Sequence, residues 1–183
     1  MTKLPVLAAL ATSLFAAQLP RPASEFVLKM VTGPDQLLSA YKGKTIVLAF
    51  MYATCPHCQK TAGVLSQLQT EYAAKGVQVV GVLFDNDDSR RVADFRRTYA
   101  KNFPVAVSDT GTVLNYLQHP PTEPYFVPDL VFIDKKYNIR SQYLGDEKFL
   151  EKQDINIRAE IDKLLKGVAT TTSSATPPKP PKS

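Results

Sequence analysis

The 183-residue chain has little of several things. It holds two cysteines, too few for a disulfide-rich miniature scaffold, and two histidines, His57 and His119, which leave few ligands for an all-protein zinc site. No apolar run reaches the roughly twenty residues needed to span a bilayer, and no internal repeat is visible. The charge excess is small: 22 Lys plus Arg against 17 Asp plus Glu, a net of +5. Three of those lysines, Lys166, Lys179 and Lys182, lie at or beyond the end of the last expected helix, so the basic balance is partly a tail property and speaks against an RNA or DNA partner. Nothing points to a nucleotide, flavin or haem site; neither a cofactor nor a metal is expected. What the chain does have is a 44% hydrophobic fraction, within the globular range, and enough length to bury one core.

Both ends read as additions to that core. Residues 1–19 carry one basic residue, Lys3, then an apolar run from Leu4 to Phe15 and the small residues Ala16 and Ala17. A charged start, a short apolar core and small residues before a polar change are the pattern of a secretory signal peptide. The expected location is therefore exported, periplasmic or extracytoplasmic, with an uncleaved anchor as the alternative and no other contact with a membrane. Residues 168–183 are Thr, Ser, Pro and Lys with nothing to bury, a disordered or partly polyproline tail.

Between them, strand and helix signals alternate. Glu25–Val31 reads as a first strand, closed by Thr32-Gly33-Pro34, with Asp35 capping a short helix to Tyr41. Thr45–Tyr52 is a continuous apolar run, expected to be a strand covered on both faces. A helix with Leu65, Leu68 and Tyr72 on one face ends at Lys75-Gly76, and Val77–Phe84 is a second buried strand. After a loop at residues 85–88, Ser89 is the expected cap of a helix carrying Val92, Phe95 and Tyr99. Phe103–Val107 reads as a short strand, Thr110–Leu117 as a short helix, and Leu130–Asp134 with Ile139–Leu144 as a hairpin. A last helix presents Ile157, Ile161, Leu164 and Leu165 and stops at Gly167. The alternation predicts an α/β domain over residues 25–167, a central sheet covered by helices.

The chemistry is concentrated in Cys55-Pro56-His57-Cys58, directly after the buried strand and at the start of the next helix. Two thiols three residues apart on a first helical turn close a disulfide with little backbone movement. The first sulfur also lies near unpaired amides and the positive end of the helix dipole, which favours the thiolate, the nucleophile of thiol–disulfide exchange. The helix turns the second cysteine inward, so Cys55 is the expected attacker and Cys58 the resolver. A structural disulfide, or half of a zinc or copper site, are the other readings of the same pair.

The run from Lys42 to Cys58 resembles the active-site strand and helix of thioredoxin-like proteins. Gly43-Lys44, the helix Ser89–Tyr99, Phe103-Pro104-Val105, and Val127-Pro128 ahead of Phe-Ile-Asp are similar to the exported TlpA–ResA branch, related to the peroxiredoxins. The resemblance covers about Glu25–Leu165. It implies a thioredoxin-like fold, a central mixed β-sheet flanked by helices, with an N-terminal extension and a central insertion. It also implies that Pro128 is cis and packs beside the redox pair, rather than being an ordinary strand-start proline, and that the Val127 backbone bonds the extended peptide of a partner. Tyr125 and Phe126, just ahead, read either as an apolar docking rim or as strand residues; His119 reads as a loop residue.

Three departures from the family pattern stand out. Thr54 replaces the usual Trp before the first cysteine, making the mouth of the site smaller and more polar. Ala49 stands where thioredoxins and the DsbA group carry a buried carboxylate, and Thr61 where many ResA-like reductases carry a Glu. Such carboxylates move the proton of the inward thiol. By contrast, Pro56-His57 and Val127 match strongly oxidising DsbA-like proteins, in which the histidine as imidazolium stabilises the thiolate; the plainer reading of His57 is a solvent-facing residue. The gap between thioredoxin and DsbA, about 150 mV, is roughly 7 kcal/mol for two electrons.

The expected function is an exported thiol–disulfide oxidoreductase acting on protein thiols and disulfides through Cys55 and Cys58, toward the oxidising end, as a monomer with a redox-recycling partner. Two other classes compete. A peroxiredoxin-like thiol peroxidase would need Thr three residues before its attacking cysteine, where Tyr52 stands, and an arginine soon after. A Cu(I)-holding chaperone would need further soft ligands.

Overall fold

The structure, a computed structural model, describes residues 18–85 and 89–167. Most of the expected signal peptide (1–17), the tail (168–183), loop residues 86–88 and the side chain of Ser89, the expected cap, lie outside the described residues. The strands are β1 (Arg21–Pro22), β2 (Val27–Met30), β3 (Gln36–Leu37), β4 (Thr45–Met51), β5 (Val77–Leu83), β6 (Val105–Val107), β7 (Asp129–Ile133) and β8 (Asn138–Leu144). The helices are α1 (Pro56–Tyr72), α2 (Ser89–Thr98), α3 (Thr110–Leu117), α4 (Glu147–Glu151) and α5 (Gln153–Leu165). Among the described residues no helix is long and apolar enough to cross a membrane.

The strands form one mixed sheet in the order β1-β8-β7-β4-β5-β6-β2-β3. β4, β5 and β6 run parallel, and β7 lies antiparallel on the other side of β4. Every residue of β4 is buried, as its unbroken apolar run predicts. Alternation then divides the strand between two cores. Val47, Ala49 and Met51 join Cys58, Ala62, Leu65 and Leu68 of α1, Val92 and Phe95 of α2 and Ile157 and Ile161 of α5. Ile46, Leu48 and Phe50 join Val113, Tyr116 and Leu117 of α3 with Phe26, Leu28 and Leu38 from the N-terminal segment. On that second side Phe26 meets Phe50 and Tyr116 edge-on, with ring centroids 5.6 and 5.2 Å apart. Fully burying one such side chain contributes about 1.5–3 kcal/mol.

One expectation is corrected, and two features were not foreseen. Asp35 does not cap a helix: its Oδ1 accepts the Met30 N–H at 3.1 Å, which folds Gln36–Leu37 back as β3 against β2 and leaves only a 3-10 turn at Leu38–Tyr41. The sheet reaches ahead of Glu25, because Arg21 pairs with Ile139 and its guanidinium donates to the Tyr116 carbonyl at 2.9 Å. The last helical region is two helices, with Asp146 capping α4 by accepting the Phe149 N–H.

Candidate active site

The parallel strand β4 delivers the chain to α1 through residues 52–55, and three hydrogen bonds fix this turn. The Ala53 N–H donates to Asp85 Oδ2 at the end of β5 (2.9 Å), Gln59 Nε2 donates to the Ala53 carbonyl (2.8 Å), and the Cys55 N–H donates to the Tyr52 carbonyl (3.3 Å). Cys55 then occupies the N-cap of α1 in extended conformation (φ −77°, ψ 120°), with Pro56 opening the helix, where its missing N–H costs nothing. No side chain caps α1, so the sulfur of Cys55 stands at the positive end of the helix dipole.

One turn separates two different environments. Cys55 is half-buried; Cys58 is fully buried in the core between α1 and the sheet, and both are free thiols. Burial pushes the Cys58 thiol far above its ordinary value. The Tyr52 N–H, donating to Cys58 Sγ at 3.4 Å, works against that, while the hydrogen bond with Cys55 and the charges of Cys55 and Asp129 add to it. Pro56 and His57 are exposed on the outer side of the same turn.

The second arm of the site is the segment ahead of β7. The Val127–Pro128 peptide is cis, as the resemblance implies. Pro128 is buried, and Val127 packs against the cluster that contains Cys55 and Cys58. Tyr125 is not a free rim residue: the Tyr52 hydroxyl donates to its hydroxyl at 2.8 Å, and Phe84 and His119 flank its ring at 6.3 Å each. Burial and the bond to Tyr125 push the Tyr52 phenol up. Phe126 is 53% exposed and its Cβ lies over Gly145. Thr54 faces elsewhere. With Ala53 and Gln59 it lines an open cleft of about 240 Å³, closed on the far side by Arg91, Asp94 and Phe95 of α2. Cys55, Cys58 and Val127 are therefore drawn to one cluster, while Thr54 borders a different surface. His119 is a loop residue with Nδ1 2.9 Å from the Pro120 carbonyl.

The positions that carry carboxylates in relatives are closed here. Ala49 is buried opposite Leu130, and Thr61 Oγ1 donates to Gln153 Oε1 at 2.6 Å, tying α1 to α5. A carboxylate that the sequence reading passed over does lie nearby. Asp129, the first residue of β7, is 1% exposed, and its Oδ1 has no hydrogen-bond partner. Burial raises it well above the usual carboxylate range, against a backbone N–H donated by Gly145. The signal available in the sequence was an acid standing directly between Pro128 and the buried run Leu130–Ile133.

A family model described as the AhpC/TSA family matches residues 20–142. Thiol-disulfide oxidoreductase ResA of Bacillus thuringiensis subsp. konkukian is 26% identical over 130 residues, 71% of this chain and 72% of that protein. Thioredoxin-like protein YneN of Bacillus subtilis is 27% identical over 144 residues, 76% of this chain and 78% of that protein. Among solved structures, a thiol:disulfide interchange protein of the thioredoxin family from Chlorobium tepidum TLS superposes with a TM-score of 0.68 at 21% identity, covering 82% of this chain and 99% of that one. The thioredoxin-like α/β fold is thereby established.

Proposed function

The chain belongs to the AhpC/TSA family, and from that premise we propose that it is a thiol–disulfide oxidoreductase that exchanges a Cys55–Cys58 disulfide with protein thiols outside the cytoplasm. The observation that carries this reading is the difference in depth between two sulfurs one helical turn apart: Cys55 is within reach of solvent and Cys58 is not. A partner sulfur reaches Cys55 first, forming a mixed disulfide. Cys58 then attacks Cys55 from inside, closing the protein's disulfide and releasing the partner as a thiol. Run backwards, the same steps give a disulfide to a reduced partner.

Val127 presents backbone to an extended partner segment beside Pro128, and Phe126 offers it an exposed apolar face. Tyr125 supports the segment from behind through Tyr52, while Thr54 lies on the separate cleft that faces α2. Pro56 and His57 occupy the exposed side of the first turn, where His57 favours the oxidising direction. The domain spans residues 25–167 with Arg21–Pro22 added to its sheet edge, and the first 19 residues direct export. A peroxidase would need a hydroxyl three residues before the attacking cysteine to meet the peroxide. Tyr52 stands there, and its hydroxyl is bonded to Tyr125.

The deciding experiment is the reduction potential of Cys55–Cys58 by titration of the full chain against glutathione. A value near that of DsbA, about −120 mV, supports an oxidase; a value near that of thioredoxin, about −270 mV, makes the protein a reductase and removes the role given to His57.

A further inference from the structure

The cleft of about 240 Å³ beside the redox pair takes none of its lining from the Tyr125–Pro128 arm. One wall is the turn into α1, through Thr54 and Gln59; the other is α2, through Arg91, Asp94 and Thr98. Ala53 on the near side and Phe95 on the far side belong to the core cluster that holds Cys58, and Cys55 packs against that same cluster. The cleft therefore lies on the sheet face of the two sulfurs. Thr54 is exposed and joined directly to Cys55, so their Cα atoms are about 3.8 Å apart. A molecule bonded to the Cys55 sulfur has the cleft within its reach.

The lining decides what fits. Arg91 and Asp94 are both exposed, at the i, i+3 spacing that sets side chains on one helix face about 5–6 Å apart at Cβ. Arg97 steadies the acid, donating from Nη2 to Asp94 Oδ1 at 2.9 Å. An apolar anchor from a folded partner would strip water from both charges without replacing it. An α-amino acid carries the matching pair instead, a carboxylate for the guanidinium and an ammonium for the carboxylate. The volume agrees: it falls below the roughly 300–1,000 Å³ of sites for drug-sized ligands.

Resting on the oxidoreductase reading above, we infer that this cleft receives the amino-acid head group of a small disulfide, cystine, which reoxidises Cys55 and Cys58. The Cys55 thiolate attacks one sulfur of cystine. The bond from Cys55 to that sulfur forms, the cystine S–S bond breaks, and one cysteine leaves as its thiolate. The half that stays bonded rests its ammonium and carboxylate between Asp94 and Arg91. Cys58 then gives its proton to solvent and attacks Cys55 Sγ. The Cys55–Cys58 bond closes, and the second cysteine leaves as a thiolate. The protein loses two electrons and cystine gains them.

The test is oxidation of the reduced full chain by four disulfides. Cystine carries both charges, cystamine only the positive, 3,3′-dithiodipropionate only the negative, and hydroxyethyl disulfide neither. Each rate is divided by that of dithiothreitol with the same disulfide, which removes the disulfide's own reactivity. The corrected rate for cystine is expected to exceed that for hydroxyethyl disulfide by about fivefold or more, the upper worth of one exposed ion pair. Arg91→Gln is expected to lower the ratio to hydroxyethyl disulfide for cystine and dithiodipropionate. Asp94→Asn is expected to lower it for cystine and cystamine. Equal corrected rates for cystine and hydroxyethyl disulfide in the unaltered chain overturn the proposal, and so does a cystine preference that both substitutions leave in place. A wild type that forms no Cys55–Cys58 disulfide with any of the four overturns the oxidoreductase reading itself.

Discussion

Two helices of this protein begin alike and are finished differently. α1 follows β4 and α3 follows β6, both at the carboxyl ends of parallel strands, and each opens from a residue in extended conformation. At α3 that residue is Asp109, whose Oδ1 accepts the Thr112 N–H at 2.9 Å and whose Oδ2 accepts the Thr112 hydroxyl at 2.7 Å. At α1 it is Cys55, which makes no capping bond. The first junction is closed by a carboxylate; the second keeps its amides for a sulfur. α1 accordingly draws its stability from the Ala62–Leu65–Leu68 stripe rather than from its start, and its start is left to chemistry.

The sharpest way to break that comparison is to finish α1 as α3 is finished. Cys55→Asp is expected to abolish thiol–disulfide exchange outright while raising stability by about 1 kcal/mol, as a good N-cap does. Denaturant unfolding beside an insulin-reduction or Ellman assay measures both; a variant no more stable than the wild type would show that the cap is not what separates the two junctions. Removing the stripe instead strikes at what holds α1: Leu65→Ala is expected to cost about 2–5 kcal/mol in urea unfolding. A third junction lies just before α4. Gly145 has φ +53°, and a Cβ there would fall 2.4 Å from the Phe126 Cβ. Gly145→Ala is expected to cost about 1–3 kcal/mol and to slow exchange with peptide partners more than exchange with dithiothreitol, since it displaces the Phe126–Pro128 arm.

The smallest effect is a contrast in sign between two acids. Hydrogen bonds from Thr112 hold Asp109 below the usual carboxylate range. Its contribution is therefore complete above about pH 3.9 and is lost as pH falls toward its folded value. Burial holds Asp129 above that range, so the folded state keeps a proton that the unfolded chain gives up. Its contribution is complete below about pH 3.9 and is lost as pH rises toward its folded value. Melting temperatures from pH 2.5 to 9 should show Asp109→Asn flattening the limb below about pH 3.9 and Asp129→Asn flattening the limb above it. Both variants moving the same limb would contradict the assignment.

Much of this was legible from residues alone, for reasons that can be named. β4 announced itself because a strand covered on both faces has no polar position to interrupt it. α3 spans the expected Thr110–Leu117, and the structure supplies the reason: Asp109 caps its start and Gln118 takes a left-handed conformation at its end. The CxxC at a strand–helix junction carried its own geometry. What escaped the reading depends on distant partners. Asp35 carries a local capping signal that loses to the Met30 amide, and the pairing of Arg21 with Ile139 joins residues more than a hundred positions apart. Asp129 escaped for the same reason: an acid beside a proline looks like punctuation until Phe50 and Leu144 close around it.

The place of β4 has a mechanical consequence. While a partner is tethered to Cys55, any pull it exerts enters the molecule at the junction of α1 with β4. That strand is not an edge. It is in register with β5 from Thr45 to Met51 and with β7 from Ile46 to Phe50. Tension along it loads two rows of backbone hydrogen bonds in shear, not one row opening in turn like a zipper. Under the exchange proposed above, the strain of a tethered partner falls on a strand held by a neighbour on each side.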